Sequence, residues 1–193
     1  MQNAMTLDDM ALTTKGKKKL IRVPSLIVDI LSFVIPIAVA YIILTFIVFV
    51  SVVQSSSMDP TLKVGNTVFY NRLAYMRAPA QRGDVVVFFS DEFGKYFGKR
   101  IIGLPGDTIS FIDGQVAVNG QIIDETAYLS PDIETVCMKE FSVPEGSYFL
   151  LGDNREISND SRYWNEPYIP YTKIYGKYLG QIDFSIQYDI LGE

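Results

Sequence analysis

The chain predicts a mainly β protein carried on one N-terminal membrane-spanning helix, and three observations predict it. Residues 30–53 are apolar and carry no charge. Further on, the chain changes to short runs of Val, Ile, Phe and Tyr punctuated by Gly, Pro and Asp, the pattern of antiparallel strands and turns. Two of these punctuations, Asp113-Gly114 and Asn119-Gly120, are Asx-Gly pairs suited to two-residue hairpins.

Residues 1–24 read as a tail, irregular and polar over 1–14. The anchor is expected over 25–53. At roughly 1.5 Å per residue, 30–53 would make about 36 Å of helix, against a hydrocarbon layer of about 30 Å. A buried core helix is rarely apolar on every face for so long, and the apolar region of a cleaved leader runs only about 7 to 15 residues. Pro36 is tolerated in such a span, and Asp29 stands at its start, near the headgroups. Lys15, Lys17, Lys18, Lys19 and Arg22 precede the span, whereas Lys63 is the first basic residue after it. This asymmetry keeps the N-terminus in the cytoplasm and sends 54–193 across as an extracytoplasmic β domain of a single-pass cell-membrane protein.

Within 54–193, strands are expected over 67–70, 84–89, 108–112, 115–118 and 147–151, with a meander through the two Asx-Gly turns to 121–123. Residues 124–146 are more acidic and less regular, and are expected to form an inserted subdomain or a long loop. The aromatic alternation from Tyr168 to Tyr188 reads as strand and core.

Composition excludes several chemistries. With no histidine, a Ser-His-Asp hydrolase, a Cys-His protease and a His-built zinc site are ruled out. A serine nucleophile would need another base, and a lysine whose charged form is disfavoured qualifies near neutral pH. Cys137 is the one cysteine; it cannot form an intrachain disulfide and reads as a small, buried or half-buried side chain rather than a nucleophile. Residues 54–193 hold 12 basic and 19 acidic residues, which argues against nucleic acid as a partner.

Three islands carry potential catalytic groups. The first is Ser55-Ser56-Ser57-Met58-Asp59-Pro60-Thr61-Leu62, just after the apolar run. Serine runs beside a membrane are often mere linkers. The second is Lys99-Arg100-Ile101-Ile102-Gly103-Leu104-Pro105-Gly106-Asp107. Taken by itself it is a strand ending in a Pro-Gly turn; alternation would face Lys99 and Ile101 inward and Arg100 outward. An inward lysine in an apolar pocket loses solvation of its charged form and becomes a base. The third, Gly152-Asp153-Asn154-Arg155-Glu156-Ile157-Ser158-Asn159-Asp160-Ser161-Arg162, is by composition an Asx-turn loop.

In order and spacing, these islands resemble the serine, lysine and loop motifs of the type I signal peptidases, a resemblance that covers residues 55–164. Arg82-Gly83-Asp84-Val85-Val86-Val87-Phe88 matches a further family segment, a strand beside the substrate. The resemblance implies an antiparallel β catalytic domain, Ser57 as nucleophile and Lys99 as general base. It implies an oxyanion hole of the Ser55 hydroxyl and the Ser57 N–H. It implies that Ser158 orients the lysine, that Asp160 and Arg162 pair to support the loop, and that no metal or organic cofactor is required. Ser56 replaces the family's usual glycine, Glu156 its aspartate and Ile157 its asparagine.

The activity so implied is removal of signal peptides from exported preproteins after a small-x-small site, commonly Ala-x-Ala, through an acyl-enzyme. Met58, with Ile101 and Val85 or Val87, is expected to line the shallow substrate pockets. The partners are signal peptides and the lipid bilayer, and a monomer is expected. Two other readings fit parts of the sequence: a self-cleaving repressor with a Ser/Lys dyad, and a non-enzymatic membrane-anchored β scaffold. The single span with a short outer domain looks most like the compact enzymes of Gram-positive bacteria.

Overall fold

A computed structural model describes residues 24–183 of the 193-residue chain. The basic cluster before the span and the end of the aromatic tail, at Tyr188, lie outside the described residues. The described residues divide into two compact units, parted between Ala40 and Tyr41.

Helix α1 (Ser25–Ile42) contains Pro36 and buries none of its residues against protein. It runs into a single π-helical turn (Ile43–Ile47), giving 23 helical residues with a mean hydropathy of 2.7. That is long enough to cross a bilayer, and Phe33, Ile37 and Tyr41, each at least 67% exposed, would be costly in water.

The helix stops earlier than the apolar run. Val48–Val52, expected as the end of the anchor, is instead strand β1, paired antiparallel with β2 (Thr67–Asn71) through Val50↔Phe69. Hydropathy alone cannot separate the last turns of a span from a β-branched strand that follows at once. Pairing decides it here. Phe49 packs toward the core while Val50 and Val52 face out, the period-two pattern of a strand.

The remaining strands are β3 (Val85–Ser90), β4 (Lys95–Gly103), β5 (Thr108–Ile112), β6 (Gln115–Val118), β7 (Gln121–Ile122), β8 (Phe141–Ser142), β9 (Ser147–Leu151), β10 (Tyr168–Pro170) and β11 (Ile174–Ile182). They form a seven-stranded sheet ordered β1-β2-β11-β3-β4-β9-β10 and a four-stranded sheet ordered β7-β6-β5-β8. Every pairing is antiparallel. Asp113-Gly114 and Asn119-Gly120 turn β5 into β6 and β6 into β7, all four residues at positive φ, as a two-residue hairpin of type I′ requires. Between β7 and β8 the chain is irregular, so 124–146 is a loop with one short strand near its end.

Strands β3 and β9 and the second half of β4, 99–103, are buried on both faces and separate three apolar clusters. Val86, Phe88, Ile101, Leu150 and Trp164 make the first. Ile102, Ile109, Val116, Phe149 and Leu151 make the second, which joins the two sheets. Met58, Leu62, Val68, Tyr70, Val85 and Val87 make the third, under the serine island.

Phe149 is fully buried, its ring centroid 4.6 Å from that of Phe141 at a tilt of 45° across the junction of the two sheets. Phe149→Ala should destabilise the domain by about 3–5 kcal/mol, measured by urea unfolding followed through tryptophan fluorescence.

Candidate active site

The serine island is held at both ends. Before it, Val53 N–H donates to Asn66 O and Gly65 N–H to Val53 O, each at 3.0 Å, extending the register of β1 with β2. After it, the buried Met58 and Leu62 plug the third apolar cluster. Ser55 is extended and Ser56–Met58 form one 3-10 turn. Ser56 is not among the residues at positive φ, so its side chain sits on ordinary backbone where a glycine's freedom is not needed. The Ser55 and Ser57 hydroxyl oxygens lie 3.3 Å apart.

Lys99 is 1% exposed, on β4 directly across from Val86. Its ammonium donates to Ser158 Oγ at 2.8 Å, and it has no ion pair among the described residues. Burial pulls its pKa down to about 8; Asp160 and Asp153 act to raise it, and Arg162 to lower it.

The loop after β9 supplies Ser158 and also grips the serine island. Asn154 N–H donates to Ser57 O at 3.1 Å, and Ser158 N–H donates to Asn154 O at 3.0 Å. Gly152 makes this approach possible: a Cβ there would overlap both Ser158 Oγ and Ser57 O. The structure thus brings Ser57, Lys99 and Ser158 to one place, linked through loop backbone. No direct hydrogen bond joins Ser57 Oγ to the lysine amine in this arrangement; Ser57 Oγ contacts Ser55 and Lys99 Nζ contacts Ser158.

Asp160 and Arg162 form a buried two-pronged pair at 2.8 and 2.9 Å, and Asp160 also accepts from Gly152 N–H at 3.0 Å. The pair therefore positions the glycine on which Ser57 and Ser158 converge. Ser161 Oγ accepts from Leu150 N–H at 3.0 Å, stitching the loop to β9.

Arg100 does not face outward. It is 8% exposed, and its guanidinium meets Asp153 at 2.8 and 2.5 Å, donates to Gly83 O and lies 3.8 Å from the centre of the Tyr128 ring. Alternation did place its side chain opposite Lys99, but the 124–146 loop covers that face. Asp153 Oδ2 also accepts from Thr61 Oγ1, so one buried carboxylate joins all three islands. Arg155 works similarly: it reaches Gly152 O, Thr135 Oγ1 and, through both terminal nitrogens, Glu125. Sequence reasoning missed Thr61, Arg100, Gly152, Asp153 and Arg155 as site-building residues. The available signal was the Gly-Asp-Asn-Arg start of the third island, a glycine followed by opposite charges two residues apart.

An open cleft of about 680 Å³ runs past Ser57, floored by Met58, Leu62, Tyr70, Phe97 and Gly98. Met58 lines it. Val85 and Val87 lie beneath, in the same apolar cluster but not on the wall, and Ile101 belongs to the separate cluster around Trp164. Ile101, on the Lys99 face of β4, packs with Val86, Leu150 and Trp164 and takes no part in the cleft wall.

A family model described as "Signal peptidase, peptidase S26" matches residues 26–181. A signal peptidase I of Pseudomonas aeruginosa is 34% identical to this chain, the match covering 79% of the chain and 68% of the relative. A signal peptidase IB of Staphylococcus aureus is 37% identical, over 69% of the chain and 80% of the relative. A crystal structure of a signal peptidase I from Enterococcus faecalis is 32% identical, with a TM-score of 0.43, over 51% of this chain and 95% of that one.

Because burial lowers the pKa of Lys99, the unfolded chain binds more protons than the folded one between about 8 and the ordinary lysine value of 10.5. The cost of burying the charge is full below pH 8 and is relieved as pH rises through that window. Lys99→Met should therefore raise stability at pH 7 by about 1–2 kcal/mol, net of the lost Ser158 bond, with the gain shrinking toward pH 10 in paired unfolding curves.

Proposed function

As the chain belongs to the signal peptidase family, peptidase S26, we propose that it cuts exported preproteins after a small-x-small site, using Ser57 as nucleophile and Lys99 as base. The observation that carries this reading is the buried lysine amine paired with a hydroxyl rather than a carboxylate. A carboxylate would hold it as ammonium. Ser158 orients the amine and leaves it able to lose its proton near pH 8.

The reaction follows from that state. Neutral Lys99 takes the proton of Ser57, whose hydroxyl exchanges its Ser55 contact for the amine as substrate binds. Ser57 Oγ attacks the carbonyl of the small residue at the end of the signal peptide. The oxyanion is held by the Ser57 N–H and the Ser55 hydroxyl, and Lys99 passes its proton to the departing amine. Water then enters, Lys99 again accepts a proton, and the ester is hydrolysed. Asn154, by holding Ser57 O, fixes the peptide plane on which this serine sits.

The exposed apolar helix Ser25–Ile47 supports a place in the cell membrane. We assign 1–24 to the cytoplasmic side, the span to the helix, and the β domain to the outer side, where the signal peptide's own apolar segment would lie in the same bilayer. That shared surface raises the effective concentration of enzyme and substrate. The protein would act there as a monomer, without nucleic acid or a cofactor.

Cleavage of an Ala-x-Ala preprotein in detergent should be lost in Ser57→Ala and Lys99→Ala. Survival in either variant would remove that residue from the mechanism. For the wild type, log kcat/KM should rise with pH and level off above about 8, since only the neutral amine is a base.

Gly152→Ala would force a methyl group onto Ser57 O and Ser158 Oγ. Preprotein cleavage should fall by at least about 100-fold, the scale expected when reacting groups are displaced by about 1 Å.

A further inference from the structure

The cleft beside Ser57 is apolar over most of its floor, with Met58, Leu62 and Phe97 contributing side chains. Tyr70 is the exception. Its ring is fixed, 6.1 Å from Phe49 and 6.4 Å from Tyr178 in centroid distance, and the residue is 3% exposed. Its hydroxyl points at β4, where a Cβ on Gly98 would stand 3.2 Å from the oxygen and 3.5 Å from Leu62 Cδ1. Gly98 and Ser57 line the same cleft, so this spot shares it with the proposed nucleophile.

The hydroxyl has no hydrogen-bond partner among the described residues. It is also not one of the sealed polar atoms without a partner, which are Trp164 Nε1 and Gln181 Oε1. What solvent reaches of Tyr70 therefore includes its oxygen, and Tyr70 lines the cleft. A polar group facing an apolar subsite keeps water until substrate arrives. A bound alanine methyl group would strip that water and return nothing; a small hydroxyl would replace it.

We propose that Tyr70 is a specificity-determining residue whose hydroxyl bonds a serine side chain of the preprotein, so that serine is preferred to alanine at the small-residue position seated against Gly98. The inference rests on the cleft being the substrate site of the proposed peptidase. The preference comes from a group inside the wall, while the size limit comes from Leu62 and Met58 around it. A neutral hydrogen bond of this kind is worth about fivefold in discrimination.

The test uses the full chain in detergent and a preprotein series with alanine or serine at −1 and at −3. Wild type should show about a fivefold higher kcat/KM for serine at one of the two positions, and Tyr70→Phe should bring that ratio to about one. An equal ratio in the two enzymes, or no serine preference in wild type, overturns the proposal. Peptide binding to Ser57→Ala and to the Ser57→Ala/Tyr70→Phe double variant, by calorimetry, reads the same ratio without turnover. Failure of wild type to cleave any substrate would then count against the peptidase reading, and a flat binding ratio against Tyr70. Should Tyr70→Phe not fold, Gly98→Ala crowds the hydroxyl from the other side and should reduce the serine preference as well.

Discussion

A single buried carboxylate, Asp153, fixes the relation between the three segments that make the site. It takes two hydrogen bonds from Arg100 on β4 and one from Thr61 beyond the serine turn, and it sits on the loop that delivers Ser158. The pair is almost wholly out of water, with side-chain exposures of 9% and 0%. Burying such a pair yields little net stability, because desolvation offsets the attraction; losing one partner leaves a bare charge in the interior. Its value is in geometry. Three segments far apart in sequence meet in the register that brings Arg100 onto Asp153, Gly83 O and Thr61.

This network sets the conditions under which Lys99 is held. The lysine is surrounded by charges already committed to each other: Asp160 to Arg162, and Asp153 to Arg100. Neither carboxylate is free to pair with it. The amine is left with a hydroxyl and with apolar β3 and β9 side chains on its own strand's neighbours, and burial then outweighs attraction in setting its pKa. The loop 124–146 contributes from above, placing Tyr128 on Arg100 and Glu125 on Arg155, so that an irregular segment completes an otherwise strand-built site.

Much of this was legible in sequence because local chemistry dictated it. The Asx-Gly pairs specify their hairpins, and β5, β6 and β9 fall where runs of β-branched and aromatic residues stand between turn residues. The three islands announced themselves by carrying serine, lysine and paired charges with no histidine available. What was not legible depended on partners distant in sequence. The end of the helix is decided by Val50 finding Phe69, which no window centred on the apolar run contains. Alternation put Arg100 on the right face but could not say that Asp153 and Tyr128 would bury it. Ile101 was expected in the substrate pockets from the resemblance, yet from Lys99 on both faces of β4 are interior, and Ile101 packs into the cluster around Trp164 rather than the one formed by Met58 and Leu62.

The last described strand, β11, is not at an edge: it lies between β2 and β3, and Gln181 within it donates to Thr61 O at 3.0 Å. Gly176 lets it come close, since a Cβ there would stand 2.9 Å from Asn71 O. A chain emerging N-terminus first therefore has its serine and lysine islands long before it has the strand that closes the sheet between them. Until that strand arrives, β2 and β3 each present an open edge and the serine turn lacks one of its supports. The site is therefore complete only once β11 has paired with both neighbours.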